Sequence, residues 1–151
     1  FPTELHDEIG ELLGRKGHEF GTVTGRDRRC GWIDTVQLKQ MIAICGITSL
    51  ALTKLDVLTG IEKIKIATGY KYERENYDYL PASEFLQNKV EPIYEEISGW
   101  DQDIAGAKDL DDLPDNAKKY INRLEEILGI NFDIISTSPK REDTIILREL
   151  L

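Results

Sequence analysis

The segment that most constrains the fold is a strongly patterned helix followed directly by an apolar strand. Pro114 begins the helix and Gly129 follows its last turn, the positions that these two residues favour at helix ends. Its apolar residues share one face: Ala117, Tyr120, Ile121, Leu124, Ile127 and Leu128. Residues 130–135 are then apolar and β-branched, which predicts a strand. A helix that runs into a buried strand is typical of an α/β protein.

Helices and strands are predicted to alternate along the rest of the chain. One helix is expected over 5–18, with Thr3 as its N-cap and Gly17 as its stop, and another starts at the capping pair Asp34 and Gln37 and ends near Gly46. Further strands are predicted at 49–52, which we expect to be buried, at 63–72, at 89–97 with Pro92 at an edge or bulge, and at 144–147.

The remaining segments read as connections. Residues 73–79 have no clear period and predict a turn, 81–87 predict a short helical turn, and the acidic segment 98–113 predicts a surface connection. There is no repeat and no low-complexity linker. We therefore expect residues 1–151 to form one α/β domain with a mixed, largely parallel sheet and flanking helices.

Charge and composition exclude several classes of protein. A net charge of −9 and a pI near 4.8 argue against non-specific nucleic-acid binding. No apolar run approaches the roughly 20 residues of a membrane span, and no signal peptide is recognised. Cys30 and Cys45 predict reduced thiols in a cytoplasmic protein. Because the chain begins at Phe1 without a methionine, we expect it to be a piece of something longer.

A basic, glycine-rich stretch at 19–34 stands out against this acidic background. It holds three glycines, two threonines and three arginines, and the arginines lie within four positions. Arginine presents a planar fork of donors that matches a carboxylate or a phosphate. Local composition leaves two interpretations open, an anion-binding loop and a solvated basic turn.

Two polar motifs follow predicted strands. Thr53-Lys54-Leu55-Asp56 comes after the strand at 49–52, and Ser136-Thr137-Ser138-Pro139 comes after the strand at 130–135. Ligands of open α/β sheets bind beyond the carboxyl ends of strands. A carboxylate at Asp56 can accept from guanine N1–H and the exocyclic amine, and the stem of Lys54 can lie along the purine face. GTP-binding proteins use such a pair of loops; the alternative is a salt-bridged turn and a serine-rich helix cap.

Other chemistry has no counterpart in the sequence. There is no G-x-x-x-x-G-K-[ST] loop to hold β- and γ-phosphates, and no carboxylate cluster of a magnesium type. His6 and His18 are isolated, and no Ser-His-Asp or Cys-His arrangement is evident. The acidic residues between 95 and 112 are expected to be solvated surface charge.

Taken together, these stretches resemble the C-terminal portion of the adenylosuccinate synthetase family. The resemblance covers nearly the whole chain, and many blocks occur in one order. The blocks are 1–4, 19–21, 24–26, 28–35, 52–58, 91–95, 113–114, 120–121 and 133–137.

The resemblance implies a fragment of a larger P-loop-type GTP-dependent ligase fold. The family joins IMP to L-aspartate with GTP hydrolysis in de novo AMP biosynthesis, and works as a homodimer with Mg²⁺. Its phosphate loop, catalytic aspartate and histidine, and magnesium ligands belong to the N-terminal part, so the isolated chain is expected to be inactive. The alternatives are a guanine-nucleotide-binding regulatory module without catalysis and a purely structural subdomain.

The resemblance also assigns roles to residues. Residues 22–28, the arginine loop, would close over L-aspartate: Thr22, Val23, Thr24, Gly25, Arg26, Asp27 and Arg28. Arg26 would also reach IMP, and Arg28 would reach the GTP side. The remaining GTP-binding residues would be Lys54, Leu55, Asp56, Ser136, Thr137 and Ser138. Arg29 has no assigned role, and the loop is expected to be mobile.

Three residues depart from the family pattern. Asp27 would repel substrate aspartate unless it points outward, so we expect it to be exposed. Val23 replaces a threonine and leaves one hydroxyl fewer. Ser138 stands where glycine is common, and it would be strained if that position needs a positive φ.

Overall fold

A computed structural model describes residues 1–148, which form two compact units. The first unit consists of Phe1–Gln40 and Lys65–Glu95, and the second of Met41–Ile64 and the chain from Glu96 onward. The helices and strands, in chain order, are α1 (Glu8–Lys16), β1 (Ile33–Asp34), α2 (Thr35–Cys45), β2 (Leu50–Leu52), β3 (Lys63–Tyr72), β4 (Glu75–Tyr77), α3 (Glu84–Gln87), β5 (Glu91–Ser98), α4 (Asp115–Leu128), β6 (Phe132–Ser136) and β7 (Thr144–Ile146).

The strands form two mixed sheets. In one, β3 pairs in parallel with β1, antiparallel with β4, and also pairs with β5. In the other, β6 pairs in parallel with β2 and antiparallel with β7. The α/β class with mixed sheets and flanking helices is confirmed. The single sheet of the prediction is instead two, because periodicity identifies strands without saying which of them pair.

In the first unit, α1 starts later than predicted. Its N-cap is Asp7, whose Oδ1 accepts from Gly10 N at 3.0 Å, whereas Thr3 is buried and caps nothing. The preceding residues run alongside the chain near Gly31, and Leu5 N donates to Cys30 O at 2.9 Å. Because these residues are extended and paired, the helix cannot begin before Asp7. The predicted stop at Gly17 is confirmed.

The N-terminus of α2 is capped as predicted, by Asp34. Its Oδ1 accepts from Val36 N and Gln37 N, both at 3.1 Å. The phenol of Tyr70, buried with Val36 and Val90, donates to Asp34 Oδ2 at 2.5 Å. Burial, and then this hydrogen bond, raise the pKa of Tyr70 above its ordinary value. The cap therefore joins helix, strand and core.

In the second unit, α4 carries the clearest pattern of the sequence and lies where it was predicted. Its apolar face is buried except for Ile127, which is half-buried, and Gly129 ends the helix at φ +71°, a conformation that favours glycine. The Glu125 carboxylate accepts from Phe132 N at 2.8 Å and so links the helix to β6.

Three local predictions were wrong. Residues 73–79 contain a strand, β4, which forms a hairpin with β3. The connection 98–113 is not confined to the surface, because Trp100, Ile104 and Leu113 are buried. Strand β2 is only partly buried, with Ala51 exposed. Among residues 1–148, no helix is both long enough and apolar enough to span a bilayer.

Candidate functional site

The arginine loop is closed at its base by backbone hydrogen bonds. Arg28 N donates to Glu19 O, and Gly21 N donates to Arg26 O, both at 2.8 Å. The two sides of the loop thus pair like a short hairpin. The backbone positions of Arg26 and Arg28 are therefore held by the hydrogen bonds at the base of the loop.

The tip of the loop is exposed and turns sharply. Gly25 has φ +63°, and its N–H donates to Gly21 O at 2.7 Å. Val23 is 98% exposed, and Asp27 is exposed, as predicted. Thr24 Oγ1 accepts from Arg26 N at 3.3 Å.

The three arginines have different surroundings. Arg28 Nη1 lies 3.0 Å from Glu19 Oε2. Arg29 Nη1 lies 3.1 Å from Glu4 Oε2, and its guanidinium stacks over the Phe1 ring at 5.3 Å. Arg26 is exposed and forms no ion pair with any carboxylate of residues 1–148. It is therefore the arginine of this cluster that is available to an external anion.

A cleft of about 570 Å³ lies between α1 and the base of the arginine loop. Its lining carries both signs of charge. The acidic residues are Asp7, Glu11, Glu19 and Asp27, and the basic residues are Arg15, Arg28 and Arg29. Because the two signs are nearly balanced, the cleft has no clear preference for an anion or a cation.

The two polar motifs meet in the second unit. Because β2 and β6 are parallel neighbours, their carboxyl ends lie at the same edge. There Lys54 N donates to Ser136 Oγ at 2.9 Å. We call residues 54–56 and 136–138 the β2–β6 edge. The two motifs that follow predicted strands therefore lie side by side.

Within the first motif, the three residues face different surroundings. Lys54 is exposed and adopts a left-handed conformation, with φ +60°. Leu55 is buried at 1% exposure, so its side chain anchors the turn and only its backbone can face a ligand. Asp56 is partly buried, and its Oδ1 lies below the surface.

Within the second motif, most of the polar groups are engaged internally. Thr137 is fully buried, and its hydroxyl faces the carbonyls of Ala107 and Asp143 at 3.1 and 3.2 Å. Ser138 Oγ donates to Asp143 Oδ2 at 2.7 Å and accepts from Lys140 N at 3.0 Å. Ser138 does not have a positive φ, so the strain considered for serine here does not arise.

Asp143 is the residue of this site that sequence reasoning missed. It is 8% exposed, and it binds the second motif through both its carbonyl and its carboxylate. In the sequence it is one acid in a charged run, Lys140-Arg141-Glu142-Asp143, with no spacing to distinguish it. The signal available was its position directly before the strand at 144–146.

The comparison with known proteins identifies relatives over nearly the whole chain. A family model described as adenylosuccinate synthetase matches residues 1–145. The adenylosuccinate synthetase of Caldanaerobacter subterraneus subsp. tengcongensis is 58% identical over 148 residues, which are 98% of this chain and 35% of the relative. The enzyme of that name from Thermoanaerobacter pseudethanolicus is 58% identical over 149 residues, covering 99% and 35%.

A solved structure agrees with these relatives. The structure of fully ligated adenylosuccinate synthetase from Plasmodium falciparum superimposes with a TM-score of 0.92 at 40% identity, over 98% of this chain and 36% of that one. The chain thus spans about a third of the length of the relatives that it matches.

Proposed function

Because the chain belongs to the adenylosuccinate synthetase family, we propose that it supplies the aspartate-binding loop and the guanine-binding edge of a GTP-dependent ligase that joins IMP to L-aspartate. The observation that carries the proposal is the hydrogen bond from Lys54 N to Ser136 Oγ, which brings the two polar motifs together. Since the relatives are about three times as long, catalysis belongs to the whole enzyme.

The β2–β6 edge suits guanine better than adenine. The Asp56 carboxylate is an acceptor for two adjacent donors, N1–H and the exocyclic amine. Ser138 N–H makes no hydrogen bond within residues 1–148, and the Ser136 hydroxyl, which accepts from Lys54, keeps its own proton. Both are donors for a carbonyl oxygen such as guanine O6. Adenine presents an amine there and no N1–H, so it would leave these groups unpaired.

The arginine loop suits a small dicarboxylate. Arg26 is the available guanidinium, and the Thr24 hydroxyl lies beside its backbone N–H. We assign them to the carboxylates of L-aspartate, with Arg26 also reaching IMP. A bound aspartate would be oriented with its amine toward the 6-position of the purine, where the family's chemistry replaces a phosphorylated oxygen. Arg28, paired here with Glu19, is assigned to the GTP side.

The described residues offer no magnesium site. Residues 1–148 contain no group of three or more His, Cys, Asp or Glu side chains that could hold a metal ion. We propose that the ligands of Mg²⁺ lie in the other two thirds of the enzyme. A homodimer is likewise proposed only for the full-length protein.

A chimera tests the proposal. The chain replaces the matching third of the Caldanaerobacter relative, and adenylosuccinate formation from IMP, L-aspartate and GTP is followed with Mg²⁺ present. The chimera should be active and should prefer GTP to ATP, whereas the isolated chain should produce nothing.

Three outcomes separate the alternatives. Turnover by the isolated chain would overturn the assignment of catalysis to the whole enzyme. An inactive, folded chimera that still binds GDP in preference to ADP would support a regulatory module. A folded chimera that neither forms adenylosuccinate nor prefers GDP to ADP would support a purely structural subdomain.

A further inference from the structure

The turn between β6 and β7 is closed by one buried acid. Asp143 N donates to Lys140 O at 3.1 Å, and Asp143 O accepts from Thr137 N at 3.0 Å. The Thr137 hydroxyl lies 3.2 Å from the same carbonyl. The main chain of Asp143 therefore holds the turn at both of its sides.

The carboxylate of Asp143 acts on a different residue. Its Oδ2 accepts the Ser138 hydroxyl at 2.7 Å, and that hydroxyl accepts from Lys140 N at 3.0 Å. Ser138 is thus held from both directions while its own N–H has no acceptor within residues 1–148. A short hydrogen bond to a charged acceptor is among the stronger ones in proteins. These bonds hold the Ser138 hydroxyl within the turn.

We propose that Asp143 is a positioning residue for purine selection, which acts through Ser138 and never touches the nucleotide. This inference rests on the proposed function, because it concerns the same guanine-binding edge. Asp143 holds Ser138 so that the backbone N–H meets a carbonyl oxygen at the 6-position. An N–H that is fixed in advance avoids the cost of ordering it when the base binds.

Kinetics of the chimera test the proposal. Asp143→Ala should raise the KM for GTP about tenfold, the effect expected for losing one charged hydrogen bond. It should leave kcat and the KM for IMP and aspartate within about twofold, because the acid lies away from those substrates. Asp143→Asn, whose amide oxygen still accepts from Ser138, should recover most of the affinity.

A second variant tests the contact from its other end. Ser138→Ala removes the donor to Asp143 and also the acceptor of Lys140 N, so it should raise the KM for GTP at least as much as Asp143→Ala. The double variant should be no worse than Ser138→Ala, since the contact with Asp143 is already lost there. Asp101→Ala is the matched control, because Asp101 is exposed and its side chain makes no hydrogen bond or ion pair within residues 1–148. If Asp143→Ala lowers kcat, raises the KM for every substrate and lowers the thermal stability together, or if the KM for GTP does not move, Asp143 has no selective role.

A measurement on the 151-residue chain separates this inference from the proposed function. The NMR order parameter of the Ser138 amide should fall modestly in Asp143→Asn and clearly in Asp143→Ala, and it should be unchanged in Asp101→Ala. An inactive chimera would overturn the proposed function, whereas an unchanged Ser138 amide would overturn the role of Asp143 whatever the chimera does.

Discussion

The arginine loop and the β2–β6 edge are held in place by different parts of the chain. The ion pair and the backbone bonds at the base of the loop join residues no more than nine positions apart, as in Arg28 to Glu19. The edge is held by a bond across 82 positions, Lys54 to Ser136, and by the pairing of β2 with β6. Local bonds can open without unfolding the unit around them, whereas long-range bonds within a sheet open only with the sheet.

This difference matches the two proposed tasks. A loop that closes over a small, flexible dicarboxylate must change conformation during the reaction cycle. An edge that distinguishes two purines must hold its donors and acceptors in place before the base arrives, because discrimination depends on leaving the wrong base unpaired. We therefore expect variants in the loop to affect turnover, and variants in the edge to affect nucleotide choice and stability.

The largest expected effect is on the loop. Arg26→Ala in the chimera should lower kcat/KM for aspartate at least about a hundredfold, because a carboxylate of the bound L-aspartate would lose its charged partner. Arg26→Lys should recover little, since an ammonium cannot reproduce the planar fork.

Arg29→Ala is the control from the same cluster. Its guanidinium is bound to Glu4 and Phe1, so kcat/KM should change less than about threefold, as is usual for an exposed ion pair. If Arg29 proves as important as Arg26, the division of the cluster into a working arginine and a structural one fails.

The next effect is on nucleotide choice. Asp56→Asn should lower the preference for GTP over ATP by about a hundredfold, because an amide cannot accept from both guanine donors. The preference is measured as the ratio of kcat/KM values, with Asp101→Asn as the control of equal charge change. A retained preference would mean that the base is read elsewhere.

A smaller effect is expected on stability. Ser136→Ala removes the acceptor of Lys54 N–H, and the free energy of unfolding of the chain should fall by about 1 kcal/mol. The Tm should drop by about 2–4 °C in a thermal melt. Ser83→Ala provides the control, because the Ser83 hydroxyl makes no capping bond at α3. Equal melting of the two variants would show that the bond across the edge contributes nothing.

The smallest effect is expected at the base of the loop. Glu19→Gln should change the free energy of unfolding by less than about 0.5 kcal/mol, because Arg28 is 59% exposed and its ion pair is screened by solvent. Denaturant titration of both proteins measures the change. A loss of several kcal/mol would place the loop among the rigid parts of the unit and remove the contrast with the edge.

Local chemistry made much of the fold predictable from sequence. The Asp34 cap, the Gly129 stop and the apolar face of α4 depend on residues within one or two turns of each other. The two motifs at the β2–β6 edge were predictable for a related reason, since each directly follows a strand. Their contact required only that the strands be parallel neighbours.

What the sequence could not predict depends on distant residues. The helix α1 begins late because the chain before it pairs near Gly31, and the segment 98–113 is held by buried Trp100 and Ile104. Asp143 resembles any other acid in a charged run, and only its burial against Thr137 and Ser138 distinguishes it. Likewise, the different surroundings of Arg26, Arg28 and Arg29 follow from Glu19 and Glu4, which composition alone does not connect to them.

The most direct test of the proposed division of labour is a crystal structure of the chimera with GDP, IMP and an unreactive aspartate analogue. The account predicts that guanine N1–H and the exocyclic amine donate to the Asp56 carboxylate and that Ser138 N–H donates to O6. It also predicts that the carboxylates of the analogue accept hydrogen bonds from Thr24 and Arg26. Guanine bound away from the β2–β6 edge, or the analogue bound without Arg26, would contradict it.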